Sequence, residues 1–414
     1  MAIGEYINIF FDQLEIWEDN YGKKENHKDR IYTAIRKFQE NSTTEAAQDV
    51  YESFFRSYWI GIQTEVNPFI ELLNKMKNYE QQAGQLLKSH RDHYVHSVNV
   101  FLLGLAIYAT NPYFQRVFSE KVMNKAEYPD SYDTKNEEFF YRWGLASLFH
   151  DMAYPLDITL KQANQYIKFV CSYPMGDYTV VRIRMRFPEF TDNNELSPLL
   201  PVPEYEGEFA QKYPGIMKLD GTSSGDIYSL IAIKLHECFG LDYELLRAQL
   251  RKHVDSIEER GMIDHGYCSA VIMLWWYHYL FKSTRWNPAY FYFPVVDAAS
   301  AILLHTFYPH LFMKEPFNLG KIYPENHPIA YLLILCDELQ DWDRKTYGTS
   351  ARDQYKCDLN LSGNNMQLIY YETEKDILEH IKKKRGDIDK ILQLECLFPE
   401  GCAFLIQTGR ENNG

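Results

Sequence analysis

The chain is poor in cysteine and has no long apolar run. Only 7 of its 414 residues are cysteine, an odd number with no C-x-x-C pair, which argues against a disulfide framework. Several of these cysteines lie inside apolar runs, where free cysteine behaves as a small hydrophobic residue. The longest apolar runs, at 100–109 and 269–281, are too short to cross a bilayer. The first residues are acidic and lack the basic start of a signal peptide, so we expect a cytoplasmic protein with no membrane partner.

An excess of positive charge is also missing. Lysine and arginine number 43 against 57 aspartate and glutamate, a formal net charge of -14. A protein that coats nucleic acid needs a basic face, so we expect no extended nucleic-acid surface. A small phosphorylated substrate held by metals or by a few arginines is still allowed. The glycine-rich NTPase and dinucleotide motifs and H-E-x-x-H are absent too, which removes three common enzyme classes.

The sequence does contain enough apolar residues for a large core, at 46%, and their spacing predicts a mainly α fold with small β insertions. Residues 1–88 are predicted to be an N-terminal helical region. Residues 89–345 form the predicted core, interrupted by an insertion at about 155–260 that contains a strand at 179–187 and a helical segment at 226–260. Before the insertion, a helix at about 136–153 is expected to be stopped by Pro155. Residues 355–414 are predicted to form a small C-terminal α/β piece with strands at 366–371 and 402–407 and a charged helix at 375–394 between them.

Polar residues of metal-ligand type lie inside apolar helical runs of the predicted core. A carboxylate in such a run is costly to bury unless a cation or strong donors meet it. One buried histidine is more often a structural residue than a ligand, but six such side chains on five helices would each need a separate partner. A shared pair of metal ions would satisfy all of them. The six residues are His96, His150, Asp151, His265, His305 and Asp337.

The order of these residues resembles the HD-domain superfamily of metal-dependent phosphohydrolases. The resemblance consists of a histidine in H-S-x-x-V, an adjacent His-Asp pair and a distant aspartate on an apolar helix. Two histidines between the pair and the last aspartate are typical of its two-metal branch. The resemblance implies that one ion is held by His96, His150, Asp151 and Asp337. It also implies that Asp151 bridges to a second ion held by His265 and His305. Nitrogen and oxygen ligands suit divalent Mn, Fe, Co, Ni or Zn.

Two positions depart from branches of this family. Tyr154 stands where some HD nucleotide triphosphohydrolases have a further histidine, and Ala153 stands where the cyclic-dinucleotide phosphodiesterases have a lysine. Neither branch is therefore assigned.

Several other side chains are candidates for the site. Arg91 and Arg344 are predicted to contact a substrate phosphate, and Asp151 is predicted to be catalytic as well as a ligand. His93 is expected to be an exposed polar residue at the helix entry, with replacement of His96 as a ligand as the alternative. Asp264 could orient an imidazole or cap a helix. Arg142 is a further candidate for a phosphate contact. The alternating Arg182, Arg184 and Arg186 could form a phosphate clamp, although a solvated strand face is the favoured interpretation. Asp341 and Asp343 are expected to pair with Arg344.

Three functions remain open at this point. The first is a two-metal phosphohydrolase acting on a small phosphorylated substrate, with a nucleotide favoured. The second is an HD-type di-iron oxygenase, because the same ligand set resembles that of myo-inositol oxygenase. The third is a non-catalytic nucleotide-sensing or interaction protein, and the many aromatic residues leave a homodimer open.

Overall fold

The structure is a computed structural model that describes residues 3–16, 26–58, 68–84, 90–121, 135–172, 183–184, 227–283, 292–342, 346–347, 357–371 and 375–406. The described chain is mainly helical with small β elements, as predicted. None of its helices combines the length and apolar character that crossing a bilayer requires.

The helices follow one another through most of the described chain. They are α1 (Ile3–Gln13), α2 (His27–Glu40), α3 (Thr44–Ser57), α4 (Pro68–Gly84), α5 (Tyr94–Thr110), α6 (Pro112–Lys121), α7 (Lys135–Phe149), α8 (Tyr154–Ser172), α9 (Ile227–Phe239), α10 (Tyr243–Glu259), α11 (His265–Ser283), α12 (Asp297–Phe307), α13 (Pro328–Leu339) and α14 (Lys375–Ile391). Single π-helical turns precede and follow α12, at Tyr292–Val296 and Tyr308–Phe312.

The chain divides into two compact units, a division different from the three segments expected from the sequence. The first unit contains Met1–Asn74, Gly84–Leu148 and Asn318–Gly414, and the second contains Lys75–Ala83 and Phe149–Phe317.

Helix α5 is the centre of the first unit. Its side chains are buried from Tyr94 to Tyr108, which explains why the helix is apolar on every side. It packs against α1, α3, α6 and α13. Aromatic rings fill the space around it, and the rings of Tyr108 and Phe139 stack at 3.8 Å.

Two small sheets complete the first unit. Strands β1 (His90–Arg91) and β2 (Thr346–Tyr347) form a two-residue antiparallel pair. Strands β3 (Cys357–Ser362), β4 (Asn365–Tyr370) and β5 (Gly401–Ile406) form a sheet in that order, with β3–β4 antiparallel and β4–β5 parallel. The two predicted C-terminal strands and the helix between them are confirmed, whereas β3 was missed.

The second unit is built on the pairing of α11 with α12. Helix α8 packs on α11, and α9 packs on α10 and α12. Lys234 on α9 forms an ion pair of 3.1 Å with the buried Asp297 at the first residue of α12. This contact fixes the N-terminal end of α12.

Several predicted boundaries were wrong for identifiable reasons. Pro155 was expected to end a helix running to residue 153, but α7 ends at Phe149, and Pro155 lies in the first turn of α8. Proline is well tolerated there because the first helical N–H groups have no partner inside the helix. The predicted helix at 226–260 is interrupted near Gly240, whose φ of 66° requires a left-handed backbone. Of the predicted strand at 179–187 the structure describes only 183–184, which lie in no strand.

Asn111 joins the helices of the first unit to its C-terminal residues. Its Oδ1 accepts from the Phe114 N–H at 2.9 Å, which caps α6. Its Nδ2 donates to the carbonyls of Gly363 and Leu397 at 3.1 and 2.8 Å. Since the side chain is buried, removing it leaves polar backbone groups without partners.

We expect Asn111→Ala to lower the free energy of unfolding by roughly 2–4 kcal/mol, because one cap and two buried hydrogen bonds are lost. The control is Asn26→Ala, which removes the exposed cap of α2 and should cost about 1 kcal/mol. Urea denaturation measures both. Equal losses in the two variants would contradict the anchoring role of Asn111.

Candidate metal centre

The His-Asp pair lies in a turn of the second unit. His150 and Asp151 follow directly after α7, and α8 begins three residues after Asp151. Both side chains are buried. The turn is held because the Ala153 N–H donates to the Ser269 hydroxyl of α11 at 2.9 Å. A short rigid turn therefore presents two potential ligands side by side.

The two carboxylate oxygens of Asp151 face different imidazoles. Oδ2 lies 3.4 Å from Nε2 of His150, and Oδ1 lies 3.5 Å from Nε2 of His265. A buried carboxylate needs a cation or strong donors. With one oxygen toward each histidine, Asp151 has the arrangement that a bridging ligand requires.

Two histidines on neighbouring helices complete this group. His265 is the first residue of α11, and His305 lies in the last turn of α12. Their Nε2 atoms are 3.2 Å apart. One ligand atom from each of Asp151, His265 and His305 lies within 4.8 Å of the others. The two histidines are half-buried, so the group is accessible from one side.

The hydrogen bonds of His305 prepare it to bind a metal. Nδ1–H of His305 donates to the carbonyl of Ile302, which leaves the lone pair of the neutral ring on Nε2. Two nitrogens bound to one ion at about 2.1 Å and at angles of 90–109° lie roughly 3.0–3.4 Å apart. The observed 3.2 Å between His265 and His305 falls in this range. The donor set therefore fits a divalent ion.

Gly266 permits the close approach of α11 to α12. A Cβ atom at this position would lie 2.5 Å from Thr306 Oγ1 and 2.9 Å from both His305 Cε1 and the Ile302 carbonyl oxygen. The Ile302 carbonyl is part of the backbone and cannot rotate away. Glycine therefore lets His265 reach His305.

Asp264 ties the same two helices together. Its Oδ1 accepts from the Tyr267 N–H at 2.7 Å, which caps α11. The same oxygen accepts from the Thr306 hydroxyl at 2.8 Å. Of the two roles considered from the sequence, the cap is confirmed. The contact with Thr306, which neighbours His305, was not predicted.

The first unit brings the other two predicted ligands together. Nε2 of His96 lies 2.8 Å from Oδ1 of Asp337. Nδ1 of His96 lies 2.5 Å from Oε1 of Gln340, and the amide N–H of Gln340 donates to the carbonyl of Trp342. Because that amide is oriented, its oxygen accepts the Nδ1 proton, and Nε2 of His96 points to Asp337. Gln340 was missed, although its place three residues after Asp337 was a signal for it.

Other candidates have partners that differ from those expected. Arg142 is buried in an ion pair of 2.5 Å with Glu138, so it is not a phosphate contact. Asp341 pairs with Lys384 at 2.8 Å, a partner that was not predicted, and its expected partner Arg344 lies outside the described residues. His93 is buried rather than exposed, with its ring centre 6.2 Å from that of His96.

The remaining arginine candidates are only partly described. Arg184 is exposed. Arg91 contributes its backbone to β1, and its side chain lies outside the described structure. Outside the described residues altogether are Arg182, Arg186, Asp343 and Arg344.

We expect Gly266→Ala to weaken metal binding at His265 and His305 at least tenfold, because the new methyl group pushes α11 away from α12. Gly386→Ala on α14 is the control, since a Cβ there meets nothing within 4 Å. Calorimetric titration with Mn²⁺, Co²⁺ and Zn²⁺ gives the affinities, and thermal unfolding checks that both variants are folded. Unchanged affinity in Gly266→Ala would show that helix spacing does not control the group.

No protein-family model, no curated protein and no solved structure matches this chain. The resemblance to HD-domain proteins therefore rests on the order of its histidines and aspartates in the sequence. The geometry around Asp151 is independent of that resemblance.

Proposed function

We propose that this chain is a metal-dependent phosphohydrolase that binds two divalent transition-metal ions and hydrolyses a phosphate ester of a small molecule, with a nucleotide as the substrate class. The observation that supports this best is the orientation of Asp151. Each of its carboxylate oxygens faces a different imidazole, His150 on one side and His265 on the other. A single-ion site would need only one of these contacts.

In the proposal, Asp151, His265 and His305 hold one ion, and Asp151 also serves the other. The assignment of His96, His150 and Asp337 to that other ion comes from their order in the sequence. Two such ions, when bound, activate water at neutral pH and neutralise charge on a phosphoryl group. Arg91 and Arg344 are proposed to contact the substrate phosphate.

Hydrogen-bond acceptors of the chain orient two of the histidine rings. The Ile302 carbonyl and the Gln340 amide oxygen each accept an Nδ1 proton, from His305 and His96 respectively. In both cases Nε2 is directed toward the neighbouring ligand. Because neither ring has to reorient, the ligand set is preorganised.

A small substrate is consistent with the charge of the chain. The net charge of -14 disfavours a long polyanion. All seven cysteines are free thiols, which is consistent with the proposed reducing cytoplasm. Formation of a homodimer remains part of the proposal.

The first test is elemental analysis of metal per chain, with protein purified without chelators. We expect about two ions in the wild type and less than one in Asp151→Ala, because a bridging ligand serves both. The control is Asp157→Ala, which removes another buried carboxylate near the same turn, one that pairs with Lys161 at 2.5 Å. It should retain both ions.

Activity is then measured with p-nitrophenyl phosphate, its diester and a nucleotide panel. We expect kcat/KM to fall by about 10³-fold or more in Asp151→Ala but less than tenfold in Asp157→Ala. Hydrolysis with Mn²⁺ under anaerobic conditions would support the proposal. Strict dependence on iron and O₂ would replace it by the di-iron oxygenase, and nucleotide binding without product would replace it by a sensor.

A further inference from the structure

The C-terminal residues of the first unit hold the end of α13. Asp341, two residues beyond that helix, is buried. Its Oδ2 accepts from the Tyr370 hydroxyl at 2.8 Å, from His380 Nε2 at 3.0 Å and from Lys384 Nζ at 2.8 Å. All three donors come from β4 and α14. One carboxylate oxygen thus joins the C-terminal α/β piece to the segment that follows Asp337.

Lys384 makes a second contact with the same segment. Its side chain is 7% exposed, and Nζ donates to the carbonyl of Glu338 in the last turn of α13. The last carbonyls of a helix have no partner inside the helix and carry partial negative charge. A buried ammonium group is therefore well placed to fix them. Lys384 binds the chain at both Glu338 and Asp341.

Gln340 lies between these two anchored residues. Its amide oxygen accepts the Nδ1 proton of His96 at 2.5 Å, and this contact fixes the orientation of the imidazole. Asp337, the partner of His96 Nε2, directly precedes Glu338. A shift of the backbone at 338–341 would move both side chains that face His96.

We propose that Lys384 is a positioning residue for the His96–Asp337 pair, and that the C-terminal α/β piece serves to hold this pair in its binding geometry. The inference rests on the proposed function in that the pair is taken to bind a metal ion. Lys384 does not touch the pair. It acts through the Glu338 carbonyl, the Asp341 carboxylate and the Gln340 amide between them.

The energetics of burial favour this role over simple stabilisation. Burying an ammonium and a carboxylate costs several kcal/mol per ion, and their attraction often does no more than offset it. Lys384 and Asp341 could be replaced by apolar side chains of similar size with little net loss. The environment nevertheless strongly favours the charged form of Asp341. Burial alone would raise the pKa of its carboxyl, but Lys384 and His380 hold that pKa well below its usual range. The two contacts of Lys384, with the Asp341 carboxylate and the Glu338 carbonyl, hold the backbone on both sides of Gln340.

The test uses Lys384→Met in the full chain, with Lys383→Met as the control because Lys383 is an exposed neighbour on α14. Nitrogen-15 NMR of labelled histidine in the metal-free protein reports the protonation and hydrogen bonding of Nδ1 and Nε2 of His96, with His96→Gln used for assignment. Titration with Mn²⁺ or Co²⁺ then measures the affinities of both ions.

We expect the Nδ1–H of His96 to lose its single hydrogen-bonded environment in Lys384→Met, and one of the two ions to bind 10–100-fold more weakly. The affinity of the other ion should change less than threefold, and Lys383→Met should match the wild type. A Lys384→Met protein with the wild-type Nδ1 signal and both wild-type affinities would overturn the inference. Tyr370→Phe, which removes one donor to Asp341, should show the same effect more weakly.

Two further results keep the test decisive. If Lys384→Met does not fold, the variant Asp341→Asn with Lys384→Met removes both buried charges. Weak binding of one ion in that folded variant supports the inference, and wild-type binding overturns it. A wild type that binds no metal would refute the proposed function alone, because the Nδ1 signal of His96 is measured without metal.

Discussion

The burial of one carboxylate, that of Asp151, constrains the second unit. Asp151 is 4% exposed, and an isolated charge at that depth costs several kcal/mol. Asp151 lies in the four-residue turn between α7 and α8, which limits the directions that its two carboxylate oxygens can face. His150 comes from the turn itself, whereas His265 must be brought by another helix. The contacts of Asp264 with both helices and the absence of a side chain at Gly266 let α11 lie close to α12, with His265 near Asp151. The packing of α11 on α12 thus places His265 beside the carboxylate of Asp151, which lies on neither helix.

The two units direct their histidines in the same way. In each, an oxygen acceptor takes the Nδ1 proton: the Ile302 carbonyl for His305 and the Gln340 amide for His96. The Ile302 carbonyl lies within α12, and it can accept this proton because the His305 ring folds back toward the residue three positions earlier. The amide of Gln340 needs an orienting partner, which the Trp342 carbonyl provides. The orientation of the His305 ring depends on its own helix alone, whereas that of the His96 ring depends on the end of α13. Under the proposed role of Lys384, this difference accounts for the contacts that β4 and α14 make with the end of α13.

The sequence singled out the candidate ligand positions because a polar residue in an apolar run is a local signal. His265 and Asp337 could be recognised in this way. The partners that orient the ligands could not, since the Ile302 carbonyl has no side-chain signature and Lys384 lies 46 residues from Glu338. Asp341 shows the same limit, because its described partners Tyr370, His380 and Lys384 lie far along the chain on β4 and α14. The role of Pro155 was predicted wrongly because a proline is compatible both with the end of one helix and with the first turn of the next.

The chemistry of the donors also bears on what the chain can bind. Cys268 lies three residues after His265, yet burial raises the pKa of its thiol well above the usual value, so it stays protonated. Only nitrogen and oxygen atoms are left in the group around Asp151, which suits divalent ions of intermediate hardness. A chain with a net charge of -14 repels phosphate at long range. Positive charge fixed at the ligand group would reverse this repulsion locally, over a distance shorter than the screening length of about 8 Å at physiological salt. In the proposed function, such a site would bind a small phosphate ester, whereas the net negative charge of the chain would still repel the remaining phosphates of a polyanion.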